Sequence, residues 1–273
     1  MRQVTIAWLW LLRRSKTGLI SLLVGITVFE LIQPVAIASF GELSRMEALI
    51  RFVPPAFFAL MNVTPDFLEA AGLAGYLALG FTHPIYLILS AATAIWFASR
   101  SLAGEIERGT IQLALARPIS RQRIYASRVA GLLAVTAGIA VVGPIGMITG
   151  VAIADPDGSI ALQHFLPMAV MAALLVWAIG GLALGGSAVA DRMGQAVGWA
   201  IAVLVVSYVI DYFAALWSVL RPLEPVSIYH YYDPPSALAR GVVAPSNALV
   251  LGAVGLAGVL FGFVCFTRRD LPT

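Results

Sequence analysis

Residues 128–153 read RVAGLLAVTAGIAVVGPIGMITGVAI, and after Arg128 nothing in that run carries a charge. A helix this long crosses a hydrocarbon core of about 30 Å. Working outward, comparable runs recur at 17–40, 82–99, 165–189, 196–219 and 247–267, which makes six predicted spans. The composition agrees: 60% of the 273 residues are hydrophobic, 11% are charged, and the mean hydropathy is +0.92. A water-soluble surface normally needs about a quarter of its residues charged. The sequence therefore reads as an all-α integral membrane protein, with a single transmembrane domain over 1–273.

Six spans put both termini on one side. If that side is the cytoplasm, the inner segments hold 13 of the 17 basic residues, among them Arg13, Arg14, Lys16, Arg108, Arg121, Arg123 and Arg269. The outer segments hold acids such as Glu42, Asp66, Glu69, Asp155, Glu224 and Asp233. The positive-inside rule then sets both termini in the cytoplasm. The net charge of +3 does not mark a nucleic-acid binder, because the cations flank apolar runs instead of gathering on a soluble domain. Residues 1–16 combine Arg2, Arg13, Arg14 and Lys16 with Trp8 and Trp10, which predicts an amphipathic helix at the interface. Its apolar stretch is too short for a signal-peptide core.

Two outer segments exceed a simple turn. In 41–81, Thr64-Pro65-Asp66 with Glu69 behind it marks a helix start, with Thr64 at the cap and acids in the first turn. The helix running from there to about Gly80 either lies at the outer leaflet or is buried in protein. The second segment, 220–246, is rich in proline and tyrosine and suits an ordered interfacial loop. Gly181 with Gly185, and Gly258 with Gly262, allow close helix approach, for which packing within the chain is the expected use. Gly143-Pro144 predicts a kink in the third span.

A catalytic constellation is missing from the sequence. His83, His164 and His230 fall in no metalloprotease pattern, the lone Cys265 builds no disulfide framework, and the only lysine, Lys16, follows no phosphate-binding glycine loop. The chain carries no nucleotide site of that type and no cofactor of its own is expected. Two acids do fall inside predicted spans, Glu30 in the first and Asp211 toward the outer end of the fifth. A charge at mid-membrane costs about 2.5–3.5 kcal/mol on insertion scales, so such groups face protein or a wet cavity. Both are candidate translocation-pathway residues; a protonated or hydrogen-bonded acid inside the bundle is the alternative for Glu30, and a place at the outer interface is the plainer reading of Asp211.

The largest inner segment, 100–127, carries most of the remaining signal. The second span is expected to run on to Arg108, with Glu105 and Glu107 near its end, and Gly109 allows a sharp break. Thr110 is placed to cap a short helix whose apolar face is Ile111, Ala114 and Leu115. Pro118 stops that helix and Ser120 caps the next one. Such a helix pinned between two spans suits docking into another protein's groove. A solvated basic loop is the plainer reading of the same residues.

Glu105-Ile106-Glu107-Arg108-Gly109-Thr110, followed by Leu115-Ala116-Arg117-Pro118-Ile119-Ser120-Arg121, closely resembles the signature between the second and third spans of ABC-2 type transporter permease subunits. The ending Phe266-Thr267-Arg268-Arg269-Asp270-Leu271 and the basic amphipathic start are similar to that family too. The resemblance implies that 105–121 is a coupling helix region contacting a separate ATP-binding subunit, which supplies ATP and Mg. Glu105, Glu107 and Arg108 would make polar contacts there, Ile111 and Leu115 would fill an apolar groove, and Gly109 would set the break. It further implies two ATP-binding subunits, a second permease chain, and a prokaryotic cytoplasmic membrane. Replacing Glu105 and Glu107 by Ala is then expected to lower coupling without unfolding the spans. The leading expectation is an exporter's membrane subunit. The alternatives are ATP-driven mechanotransmission to an envelope partner and an ion-driven secondary transporter using Glu30.

Overall fold

The computed structural model describes residues 2–41, 45, 52–61, 63–115 and 119–269, with side chains from residue 17 onward except 55, 60, 114 and 115. Among the described residues the secondary structure is helical, without a strand. The helices are α1 (Arg2–Ser39), α2 (Pro55–Leu60), α3 (Pro65–Ala71), α4 (Leu73–Thr82), α5 (Pro84–Ser101), α6 (Ala103–Glu107) and α7 (Thr110–Leu115). Then follow α8 (Arg121–Ala154), α9 (Phe165–Val189), α10 (Met193–Leu216), α11 (Pro234–Arg240) and α12 (Pro245–Arg268). Among the described residues, five helices are long and apolar enough to cross a membrane, and α4 with α5 makes a sixth if that bent pair is one span.

The centre is α9, whose apolar window is 67% buried, against 22% for α1 and for α10. It packs on α5, α8, α10, α11 and above all α12, while α1 lies along α8. Both close pairings rest on glycine. An added Cβ at Gly146 or Gly150 of α8 would strike the Thr27 or Leu31 carbonyl of α1. Between α9 and α12, Gly181 faces Gly255 and Gly185 faces Gly258. The small residues thus serve packing within the chain, as expected, and the α1–α8 seam is one that the spacing had not singled out.

Several boundaries differ from the sequence expectations. Helix α5 starts at Pro84, because Pro84 has no N–H to donate and holds His83 extended at φ −62, ψ 136. His83 Nδ1 accepts from the Ile85 amide at 3.2 Å, and the chain bends 44° between α4 and α5. The single helix expected from Thr64 to Gly80 is two. Thr64 does cap α3, accepting from Phe67 N at 3.3 Å, but Gly72 takes a left-handed φ of +54 and starts α4 afresh. Every residue of α4 except Leu79 is buried, so the buried reading of this helix is the one that holds.

Helix α1 continues unbroken through residue 16 into the first span, so no break separates an interfacial helix from it. The side chains that would make residues 1–16 amphipathic lie outside the described ones. Helix α8 begins at Arg121, well before the apolar run, and stays helical through Gly143-Pro144. The 220–246 segment is more ordered than a loop, with 3₁₀ turns at Ser218–Val226 and Tyr229–Tyr231 before α11.

Candidate functional site

The site lies at the end of the bundle where Arg100, Arg108, Arg121, Arg123, Arg192, Arg268 and Arg269 gather, and is built from α5 to α8. The second span does not run to Arg108. It stops at Ser101, where Leu102 adopts φ −124, ψ −71, and the short α6 follows. Gly109, at φ +67, makes the sharp break expected of it. Thr110 is the first residue of α7 and not its cap; its hydroxyl instead donates to the Glu105 carbonyl at 3.3 Å.

Glu105 turns inward. Only 4% exposed, its carboxylate accepts from Arg128 Nη2 at 2.7 Å, and Arg128 is equally buried. The expected contact to another subunit calls for an outward-facing side chain, whereas here it faces Arg128. Glu107 is exposed, but its Oε2 accepts from the Met193 amide at 2.9 Å. That amide is one of the first in α10 and has no partner inside its own helix. A carboxylate at a helix N-terminus also meets the positive end of the helix dipole. Both glutamates therefore position this chain's own helices.

The short helix α7 faces opposite to expectation. Ile111 is 2% exposed and belongs to the chain's own core, while Leu113 is 72% exposed. Two residues along a helix turn the direction by about 200°, so burying Ile111 leaves Leu113 outward. The Leu115 side chain and Pro118 lie outside the described residues. Ser120 caps α8 as expected, accepting from Arg123 N at 3.4 Å. Arg121 donates to the Arg269 carbonyl. Arg269 in turn donates to Ala188 O at 3.2 Å, to Ala190 O at 3.1 Å and to the Asp191 carboxylate. This clasp ties the start of α8 to the α9–α10 turn. No spacing in the sequence pointed to it, because its members lie some 80 to 150 positions apart along the chain.

At the opposite end, Glu30 of α1 is fully enclosed, and neither of its oxygens has a hydrogen-bond partner. It presses on α4: a Cβ on Gly80 would lie 2.6 Å from Glu30 Oε2. Tyr232 donates to the Phe81 carbonyl at 3.2 Å. Burial, then the neighbouring Tyr86 and Glu30, push the Tyr232 phenol well above its ordinary value, so it stays a neutral donor. Asp211 is half-buried and lines a recess of about 20 Å³ with Thr82, Tyr208, Tyr229 and Tyr232. Glu30 and Asp211 both come close to Tyr232, Glu30 through its charge and Asp211 across this recess. A larger cleft of about 620 Å³ lies between α2, α3 and the end of α10, with Phe58, Phe67, Glu69 and Asp233 on its walls.

The histidines have structural partners. His164 Nδ1 lies 3.0 Å from Leu238 O, and His230 lies 3.9 Å from Glu224. Among the described residues no group of His, Cys, Asp and Glu is arranged to hold a metal ion.

A bundle of five or six helices long and apolar enough to cross a membrane is the form of a multi-pass membrane protein. The family model described as ABC-2 family transporter protein matches residues 12–271, nearly the whole chain. The chain belongs to the ABC-2 transporter family. Among curated proteins, none matches it.

Proposed function

We propose that this chain is the membrane-spanning permease subunit of an ATP-binding-cassette exporter, driven by separate ATP-binding subunits that dock on α6 and α7. The observation that carries the reading is the platform at the basic end. A large apolar side chain, Leu113, stands 72% exposed beside exposed Arg108 and Gly109. The helix beneath it is held by a buried ion pair at 2.7 Å. An exposed leucine on a helix anchored this firmly is well suited to docking into an apolar groove of a partner. Family membership supports the same division of labour, with ATP and Mg on the partner. Two permease chains and two ATP-binding subunits make the working assembly. The arginine-rich end faces the cytoplasm of a prokaryotic cell by the positive-inside rule.

The test is co-purification from native membranes. Leu113→Asp is expected to leave the chain folded, because its site is exposed, and to lower recovery of a phosphate-loop protein about tenfold or more. Undiminished recovery would remove α7 as the docking element. Mechanotransmission to an envelope partner is the second reading, favoured by the 620 Å³ cleft at the opposite end. It predicts ATP-dependent movement of α2 and α3 without cargo flux. Glu30, walled in by α1, α4 and α8, belongs on the pathway only in a state where α4 has moved.

A further inference from the structure

We infer that Glu107 hands the movement of the coupling helix to α10, making the fifth long helix the moving output of this subunit; the inference rests on the docking role proposed for α7. Helix α6 is a rigid piece between two backbone breaks, Leu102 at φ −124, ψ −71 and Gly109 at φ +67. It is fastened on three sides. Glu105 holds Arg128 of α8 at 2.7 Å, and Ala103 N donates to Ser187 Oγ of α9 at 3.0 Å. Glu107 accepts from Met193 N of α10 at 2.9 Å.

These three attachments are unequal in what they can move. The apolar windows of α8 and α9 are 56% and 67% buried, so displacing either disturbs packing along its whole length. That of α10 is only 22% buried. On the side facing α5 it leaves an apolar groove of about 560 Å³, walled by Leu87, Ala91 and Ile95 on one helix and Val197, Ile201 and Leu204 on the other. At the joint itself the contacts are small: Ala103, Ala190 and Ala196 pack together, and Gly104 faces the Met193 sulfur. A push on α7 therefore pivots α6 against the fixed α8 and α9 and shifts the start of α10. In that direction the Glu107 carboxylate holds the first amide of α10, so Glu107 is a positioning residue acting through α10. The width of the α5–α10 groove follows the partner's nucleotide state.

The measurement is a spin-label distance in the complete complex with its ATP-binding partner, in nanodiscs, on a Cys265→Ser background. One label replaces exposed Ala126 of α8. The other replaces exposed Gly198 of α10, where a Cβ meets nothing within 4 Å. In the wild type, ATP with vanadate is expected to shift the distance distribution. Glu107→Ala is expected to remove at least half of that shift while the partner stays bound. Glu107→Gln, whose amide oxygen still accepts from Met193 N, is expected to keep most of it. A full shift in Glu107→Ala overturns the inference, as does a wild-type complex in which this distance does not respond to nucleotide. Loss of the partner from both Glu107 variants also overturns it, since Glu107 would then act by its charge on the partner. Failure of the wild-type chain to retain any ATP-binding partner would instead sink the docking reading, and this inference with it.

Discussion

Glu105→Ala is expected to destabilise the folded chain by about 3–5 kcal/mol, the usual cost of removing one member of a buried ion pair. Arg128 would be left with its charge enclosed, and its Nε and Nη1 already lack partners. The loss would appear as a lowered thermal transition in detergent and as reduced yield from the membrane. Glu105→Leu combined with Arg128→Met removes both charges and keeps most of the volume, so it is expected to recover most of the stability. A double variant as unstable as the single one would show that the pair's geometry, and not the stranded cation, holds α6 to α8. The motif alone suggested that alanine at Glu105 would leave the spans intact. Its burial reverses that expectation, and only Glu107, exposed and bonded to a single amide, keeps it.

Gly181→Ala is expected to open the α9–α12 seam. An added Cβ would fall on the Gly255 carbonyl, and backbone cannot rotate away as a side chain does. The seam also carries Trp177 Nε1 donating to Gly252 O at 3.1 Å, and beside it Tyr125 OH of α8 donates to Val259 O of α12 at 2.8 Å, contacts that need the present separation. Overpacking a close-fitted interior costs about 1–3 kcal/mol, and here the upper end applies because α9 is the helix on which most others pack. Gly252→Ala, on the facing helix α12 but with open space where its Cβ would go, is the control and is expected to change stability by less than about 0.5 kcal/mol. Equal effects at the two positions would mean that helix propensity, not the seam, sets the response.

Much of the architecture was legible because the bilayer leaves few options. Backbone groups in hydrocarbon must be satisfied within the helix, so apolar runs become helices and their ends lie close to where the runs end. The fourth run, 165–189, matches α9 residue for residue, and 247–267 falls two residues inside the start of α12. Local chemistry was legible too. Thr64 and Ser120 cap the helices that follow them, and Gly109 breaks the chain, because each needs only its immediate neighbours.

The sequence by itself determined most of the long helices, the membrane class, and the position of an inner connection within 100–127. Only the tertiary structure decided what the residues of that connection face. Glu105 and Glu107 are two residues apart and look equivalent in the motif. One is buried on Arg128 and the other reaches Met193, 86 positions away. Ile111 and Leu113 are both apolar, and which of them faces outward depends on how α7 is rolled against the bundle. Periodicity specifies that a helix has two faces. The choice between those faces belongs to the packing of helices that are distant in the chain, and no local pattern carries it.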